Sequence, residues 1–214
     1  MIQIVKDSDT RPWFFLQTAH TTYGIRVMNT GHLEHLYYGE RITVDAQDSA
    51  SCAPLVIQRA FAPGNTCTYD REHPQISMED VCLEVGTLGK GDIREPFLEV
   101  RFADGSVTSD FTFNSYEVIT LKEREQCLQE SGLPHSYSEA ETDSAEGLQI
   151  VLQDVTNRLE LQLLYTVFEE CDVITRSARL INHSDATVTL DRCLSAQLDL
   201  TEDYSVITHF SGAW

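Results

Sequence analysis

Apolar and polar residues alternate with a period of two along most of this chain, in short runs rich in β-branched and aromatic side chains. That is the spacing of a half-buried strand, because successive side chains on an extended backbone point to opposite faces. The pattern predicts strands at 13–18 (WFFLQT), 22–28 (TYGIRVM), 32–38 (HLEHLYY), 54–61 (PLVIQRAF), 96–102 (PFLEVRF) and 107–113 (VTSDFTF). A second series is predicted at 116–121 (YEVITL), 148–154 (LQIVLQD), 159–168 (LELQLLYTVF), 173–181 (VITRSARLI), 187–200 (TVTLDRCLSAQLDL) and 205–210 (SVITHF). Clusters at 29–31, 103–106, 154–158 and 182–186 hold the Gly, Asn, Asp and Ser residues that tight turns favour, and are read as hairpin turns. The polar, acidic stretch 136–147 (SYSEAETDSAEG) reads as a long loop, since the strand pattern resumes after it.

No segment sustains a helical period between two caps, so neither a βαβ series nor a barrel of alternating strands and helices is visible. The expected class is all-β, a two-sheet antiparallel β-sandwich.

The stretch 31–39 (GHLEHLYYG) places two histidines and a glutamate within four positions, as a metal site might. On a strand, His32 and Glu34 share one face and His35 lies on the other, so a single ion cannot take both rings. No metal is expected. A serine nucleophile would need a strained G-x-S-x-G turn, and none occurs. The closely spaced glycines of 86–92 (GTLGKGD) are not followed by a helix, so they read as a loop where backbones approach closely, not as a phosphate cradle. Acidic residues are so numerous that a glycosidase-like carboxylate pair cannot be chosen by spacing.

Composition narrows the partners. With 15 Lys and Arg against 34 Asp and Glu, the formal charge of −19 repels phosphate backbones and anionic membranes, so nucleic acid and membrane are not expected partners. Hydrophobic residues make up 42% and charged residues 23%, the balance of a folded soluble domain. Lys6, Asp7 and Asp9 interrupt the place where a secretory signal needs an apolar run, which points to a cytoplasmic protein. The six cysteines form no CxxC pair, and reduced, mostly structural thiols are expected. In a chain without a secretory route, the NHS sequon at Asn182 carries no weight.

A series of short motifs resembles the N-terminal region of the bacterial α-galactosidases of glycoside hydrolase family 36. The matching stretches are HLEHLYYGERI (32–42), RAFAP (59–63), GDIREP (91–96), GLPHSYSEAETDSAEGLQIVLQD (132–154), LLYTVFEECDVITRSARLIN (163–182) and FSGAW (210–214). They occur in family order along the whole chain, which is more specific than any one of them.

This resemblance implies a β-sandwich of the galactose-mutarotase-like supersandwich type over residues 1–214, incomplete at its C-terminus. The catalytic (β/α)8 barrel, a fold of roughly 250 residues, would lie outside this chain together with the two catalytic aspartates of a retaining mechanism. No catalytic residue and no cofactor is therefore expected here. The implied parent is a homo-oligomeric hydrolase of terminal α-galactosides of the melibiose and raffinose type. In related tetramers this domain reaches a neighbour's active site, and the implied substrate contacts are Gln58, where close relatives carry an aspartate, and Arg71 in the following loop. Trp214 is a third candidate, as a sugar platform or a buried anchor. Asp92 and Arg94 are expected to pin a turn or a barrel interface.

Two other functions fit the residues. A free-standing carbohydrate-binding sandwich would expose aromatics on one face, with Tyr37, Tyr38, Tyr69 and Trp214 as candidates. A mutarotase-like enzyme would bring a histidine such as His183 or His209 to a carboxylate.

Overall fold

A computed structural model of the chain describes residues 1–46, 48–56, 67–120, 126 and 146–199. Strands β1 (Ile2–Lys6), β2 (Pro12–Gln17), β3 (Thr21–Val27) and β4 (Leu33–Glu40) form one antiparallel sheet in sequence order. A second runs β6 (Thr112–Ile119), β7 (Glu146–Asp154), β8 (Leu159–Phe168) and β9 (Val173–Asn182), while β5 (Leu98–Arg101) pairs with β10 (Thr189–Cys193). Residues 82–87 tie this small pair to the first sheet, through isolated bridges from Leu83 to Glu34 and from Thr87 to Leu98.

The alternation decides what the sheets bury. Phe14, Leu16, Tyr23 and Ile25 meet Leu148, Ile150, Leu152, Leu161, Leu163 and Tyr165 in one core between the sheets, with Leu98 and Val100 closing it. Fully burying each such side chain contributes about 1.5–3 kcal/mol, so this layer dominates the stability of the fold. The chain is an all-β sandwich. The other face of the first sheet is also covered: Val5, Trp13, Phe15 and Leu36 pack with Cys52 in a second core.

Cys52 belongs to a 3-10 helix, Ser49–Leu55, where the predicted strand 54–61 should begin. Asp48 overrides the strand pattern there: its side chain accepts from Ala50 N at 3.0 Å and its carbonyl from Ser51 Oγ at 2.6 Å. Residues 57–61 lie outside the described residues, as do the predicted strand 205–210 and most of the loop 136–147. The two strands predicted at 107–113 and 116–121 are instead one, β6, carried across a register shift between Phe113 and Ser115. Strand β1 was not predicted; Ile2 and Ile4 pack on the main core and Val5 on the second. Strand β10 is shorter than the predicted 187–200 because pairing with β5 ends at Cys193.

Turns 29–31 and 154–158 do join hairpin neighbours, β3 to β4 and β7 to β8. Turns 103–106 and 182–186 instead carry the chain between sheets, since β5 and β10 pair with each other and not with β6 or β9. The glycine loop brings backbone and side chains close, as its spacing suggested. Gly89 has φ +94°, and a Cβ there would lie 2.3 Å from Thr108 Oγ1. Asp92 and Arg94 pin the adjoining turn, with Arg94 Nε 2.9 Å from Asp92 Oδ1 and Nη2 donating to Val81 O at 2.5 Å.

Strand β4 contains a bulge that matters for function. Ile25 pairs with His35 and Gly24 with Tyr37, leaving Leu36 as an extra residue. Leu36 and Tyr37 then both face the second core, and Tyr38 returns to the face of His35, beside Tyr23. A regular strand would put positions 35 and 38 on opposite faces.

Candidate functional site

Two polar constellations sit toward opposite ends of the sandwich. The first is internal. Residues 82–84 run beside the start of β4, with His35 N donating to Cys82 O at 2.7 Å and Glu84 N to Leu33 O at 3.0 Å. This places the Glu84 side chain, fully buried, between the sheets. Tyr23 OH and Tyr165 OH each donate to its carboxylate at 2.6 Å, one from each sheet. Arg176 Nε lies 3.1 Å from Glu84 Oε1, while Nη2 donates to Glu84 O and Nη1 to Ser195 O. The guanidinium stacks over Phe97 at 4.5 Å. Burial, reinforced by the Glu84 charge, raises both tyrosine hydroxyls far above their ordinary range, so they remain donors.

Outward from this network lies a cleft of about 160 Å³. Its walls are two directly opposed cross-strand pairs, Tyr23 with Tyr38 on β3 and β4, and Tyr165 with Arg176 on β8 and β9. Asp172, Ile174 and Leu198 complete the rim.

The second constellation converges on Asp110, just before β6. His32 Nε2 lies 2.9 Å from its Oδ1, Lys90 Nζ 2.9 Å from its Oδ2, and Tyr69 OH donates to Oδ2 at 3.1 Å. Asp110 N in turn donates to Asp154, which also holds the β7–β8 turn through Asn157. Burial pushes the Asp110 carboxyl up, but the hydrogen bonds from His32 and Lys90 outweigh it and hold the pKa to about 2. A carboxylate so fully engaged, and ionised well below neutrality, is an anchor and not a general acid.

What it anchors is the loop 67–77. The Tyr69 ring meets His32 edge-on at 4.9 Å and takes Lys90 over its face at 5.4 Å, while Tyr69 N donates to Ile76 O. Asp70 closes the tip by accepting from Glu72 N and His73 N. Arg71 is exposed at that tip. The predicted contacts Gln58 and Trp214 lie outside the described residues.

The sequence-predicted histidines separate as the strand argument required. His32 faces Asp110 and Thr30, whereas His35 packs in the core at 4.9 Å from Tyr23, and Glu34 pairs with Arg26 at 2.5 Å. Burial lowers the His35 pKa, favouring its neutral ring. Among the described residues no group of His, Cys, Asp and Glu could hold a metal ion. His183 lies 3.2 Å from Glu160, but on the exposed side of the turn after β9; His209 is outside the described residues. Tyr37 is tied to Glu40 O through its hydroxyl, leaving Tyr38 as the aromatic that opens onto the cleft. Cys52 and Cys82 are buried, whereas Cys67, Cys171 and Cys193 are exposed, so the thiols are less uniformly structural than expected.

Sequence reasoning did not single out Glu84, Asp110 or Arg176. Arg176 had one usable signal: a cation midway along an otherwise strand-like run. Glu84 and Asp110 lie in segments whose partners are brought together only by the fold.

An antiparallel sandwich with an anchored loop toward one end and an aromatic cleft toward the other defines an all-β module of two facing sheets. The chain belongs to the glycosyl hydrolase family 36 N-terminal domain, which it matches over residues 31–214. It is 36% identical over 201 residues to the bifunctional alpha-galactosidase/sucrose kinase AgaSK of Mediterraneibacter gnavus, covering 93% of this chain and 20% of that protein. The crystal structure of the alpha-galactosidase from Lactobacillus brevis superposes with a TM-score of 0.76 at 32% identity, covering 92% of this chain and 24% of the other. A doubly substituted variant of the alpha-galactosidase AgaA of Geobacillus stearothermophilus, in complex with stachyose, superposes with a TM-score of 0.73 at 29% identity, over 86% and 24% of the two chains. Another doubly substituted variant of AgaA is known in complex with raffinose. The chain thus spans about a quarter or less of the length of these relatives.

Proposed function

We propose that this chain is the N-terminal β-sandwich portion of an α-galactosidase that removes terminal α-D-galactosyl residues from melibiose- and raffinose-type sugars with retention of configuration. The family match over residues 31–214 carries this reading, and the raffinose and stachyose complexes of a relative support the substrate class. The catalytic carboxylates belong to a (β/α)8 barrel outside these residues, and the 214-residue chain is inactive alone. It works in the cytoplasm as part of a homo-oligomer.

The role of this portion is scaffolding, oligomerisation and shaping of the pocket entrance. The Asp110 hub supports the last of these. Through Tyr69 it holds the loop that carries Arg71 against His32 and Lys90. A loop offered to a substrate must be held within a fraction of an ångström to contribute to binding, and one ionised carboxylate with three side-chain partners does this. In this reading Gln58, Arg71 and Trp214 are the residues that contact sugar at the entrance.

The test is hydrolysis of an aryl α-galactoside by the 214-residue chain beside a version extended through a barrel. Activity confined to the extended protein supports the proposal. Activity in the short chain, free of contaminating enzyme, sends the catalytic carboxylates back into these strands.

A further inference from the structure

We propose that the cleft between the Tyr23–Tyr38 and Tyr165–Arg176 pairs is a non-catalytic binding site for one pyranose ring. A pyranose presents a face of C–H groups and an edge of hydroxyls, each able both to donate and to accept. A site for it takes an aromatic plate with a hydrogen-bond acceptor and a donor around one cleft. The cleft supplies all three.

The plate is Tyr38. It is 50% exposed, unlike its pair partner Tyr23, and it reaches the cleft only because of the bulge at Leu36. Its ring stands edge to face with Tyr23 at 5.8 Å, which fixes its orientation without covering its outer face.

The acceptor is Asp172 on the rim, at the C-terminal cap of the short helix that joins β8 to β9 and with φ +52°. His20 holds it through its backbone N–H at 2.8 Å and its Nδ1 at 2.6 Å, and these contacts keep its pKa at about 2. The carboxylate is therefore ionised and oriented at neutral pH.

The donor is Arg176, with 9% of its side chain exposed. Three of its N–H groups are engaged, by Tyr165 OH, Ser195 O and Glu84 O. Among the described residues the remaining N–H groups of the guanidinium have no hydrogen-bond partner, and they can serve a ligand hydroxyl. Ile174 and Leu198 supply the apolar sides.

Size limits the ligand. Pockets for drug-sized molecules span roughly 300–1,000 Å³, and about 160 Å³ takes one ring and not a chain of them. Only the choice of a galactoside as first probe rests on the function proposed above; the cleft's chemistry asks for a pyranose of any configuration.

The experiment is an NMR titration of the full 214-residue chain with methyl α-D-galactopyranoside, methyl α-D-glucopyranoside and, as an acyclic control, glycerol. Saturable, millimolar shifts confined to residues around Tyr38 are expected for at least one glycoside. Tyr38→Ala weakens binding by roughly tenfold or more, and Tyr38→Phe, which keeps the plate, retains it. Binding of the glucoside alone supports the site while separating it from the galactoside reading, and hydrolysis by the extended enzyme is untouched either way. The proposal is overturned by no saturable shift with either glycoside, by equal shifts with glycerol, or by undiminished binding by Tyr38→Ala. A change in sedimentation of Tyr38→Ala without any glycoside effect also overturns it, and makes the cleft a contact between copies.

Discussion

Glu84 and Asp110 solve the same local problem with opposite consequences. Each is a carboxylate that gathers a cation and at least one tyrosine: Glu84 takes Arg176, Tyr23 and Tyr165, and Asp110 takes Lys90, His32 and Tyr69. Glu84 is wholly buried and its partners come from the facing sheets, so its bonds join the two layers of the sandwich. The Asp110 side chain is 20% exposed and its partners come from loops, so its bonds fix the surface and leave the layers alone. The same chemistry is structural in one place and positional in the other, and burial makes the difference.

The largest expected effect tests the buried member. Glu84→Ala removes the acceptor of two tyrosine hydroxyls and leaves Arg176 uncompensated, which costs about 3–5 kcal/mol for a broken buried pair. Urea unfolding followed by tryptophan fluorescence reads this directly. A loss below about 1 kcal/mol would mean that water reaches Arg176 freely, and the contrast with Asp110 would collapse.

Asp110 is expected to show its contribution through pH. Its folded pKa, about 2, lies below the ordinary value of an unfolded aspartate, roughly 3.9. Its stabilisation is therefore fully present above pH 5 and is lost as the pH falls toward 2. With allowance for water at its exposed edge, it amounts to about 1–2 kcal/mol. The stability difference between wild type and Asp110→Asn should shrink over that window and vanish near its lower end. A difference independent of pH would assign the effect to packing instead of charge. Lys90→Ala sharpens the comparison further. Lys90 is 36% exposed, so its loss should cost under about 1 kcal/mol and shrink in high salt, as no Glu84 variant should.

The sandwich was legible because its strands bury one face or two in a strict alternation, and β7 and β8 show this most cleanly in Leu148, Ile150, Leu152, Leu161 and Leu163. Local chemistry defeated the pattern where it competed with it. Asp48 and its backbone bonds turn the apolar run beginning at Pro54 into the end of a 3-10 helix. The bulge at Leu36 was invisible for a different reason: both registers of β4 bury apolar residues, so composition could not choose between them. Glu84 and Asp110 were illegible, and Arg176 nearly so, because they draw partners from 11 to 92 positions away, and period and spacing report only near neighbours. Of the candidate site, the loop bearing Arg71 was reached through resemblance alone.

The smallest expected effect is the most discriminating. Arg71 is exposed at the tip of a loop whose fixed points are Tyr69, Asp70 and His73. Arg71→Ala should thus change folding stability by no more than about ±0.5 kcal/mol. In the extended enzyme the same variant should raise KM for raffinose with little change in kcat, the signature of a residue that binds substrate and transition state alike. Asp110→Asn should move KM in the same direction by loosening the loop that presents Arg71, and the double variant should then add little to the single ones. Additive effects would show that Asp110 and Arg71 act separately, and would confine the hub to holding the fold.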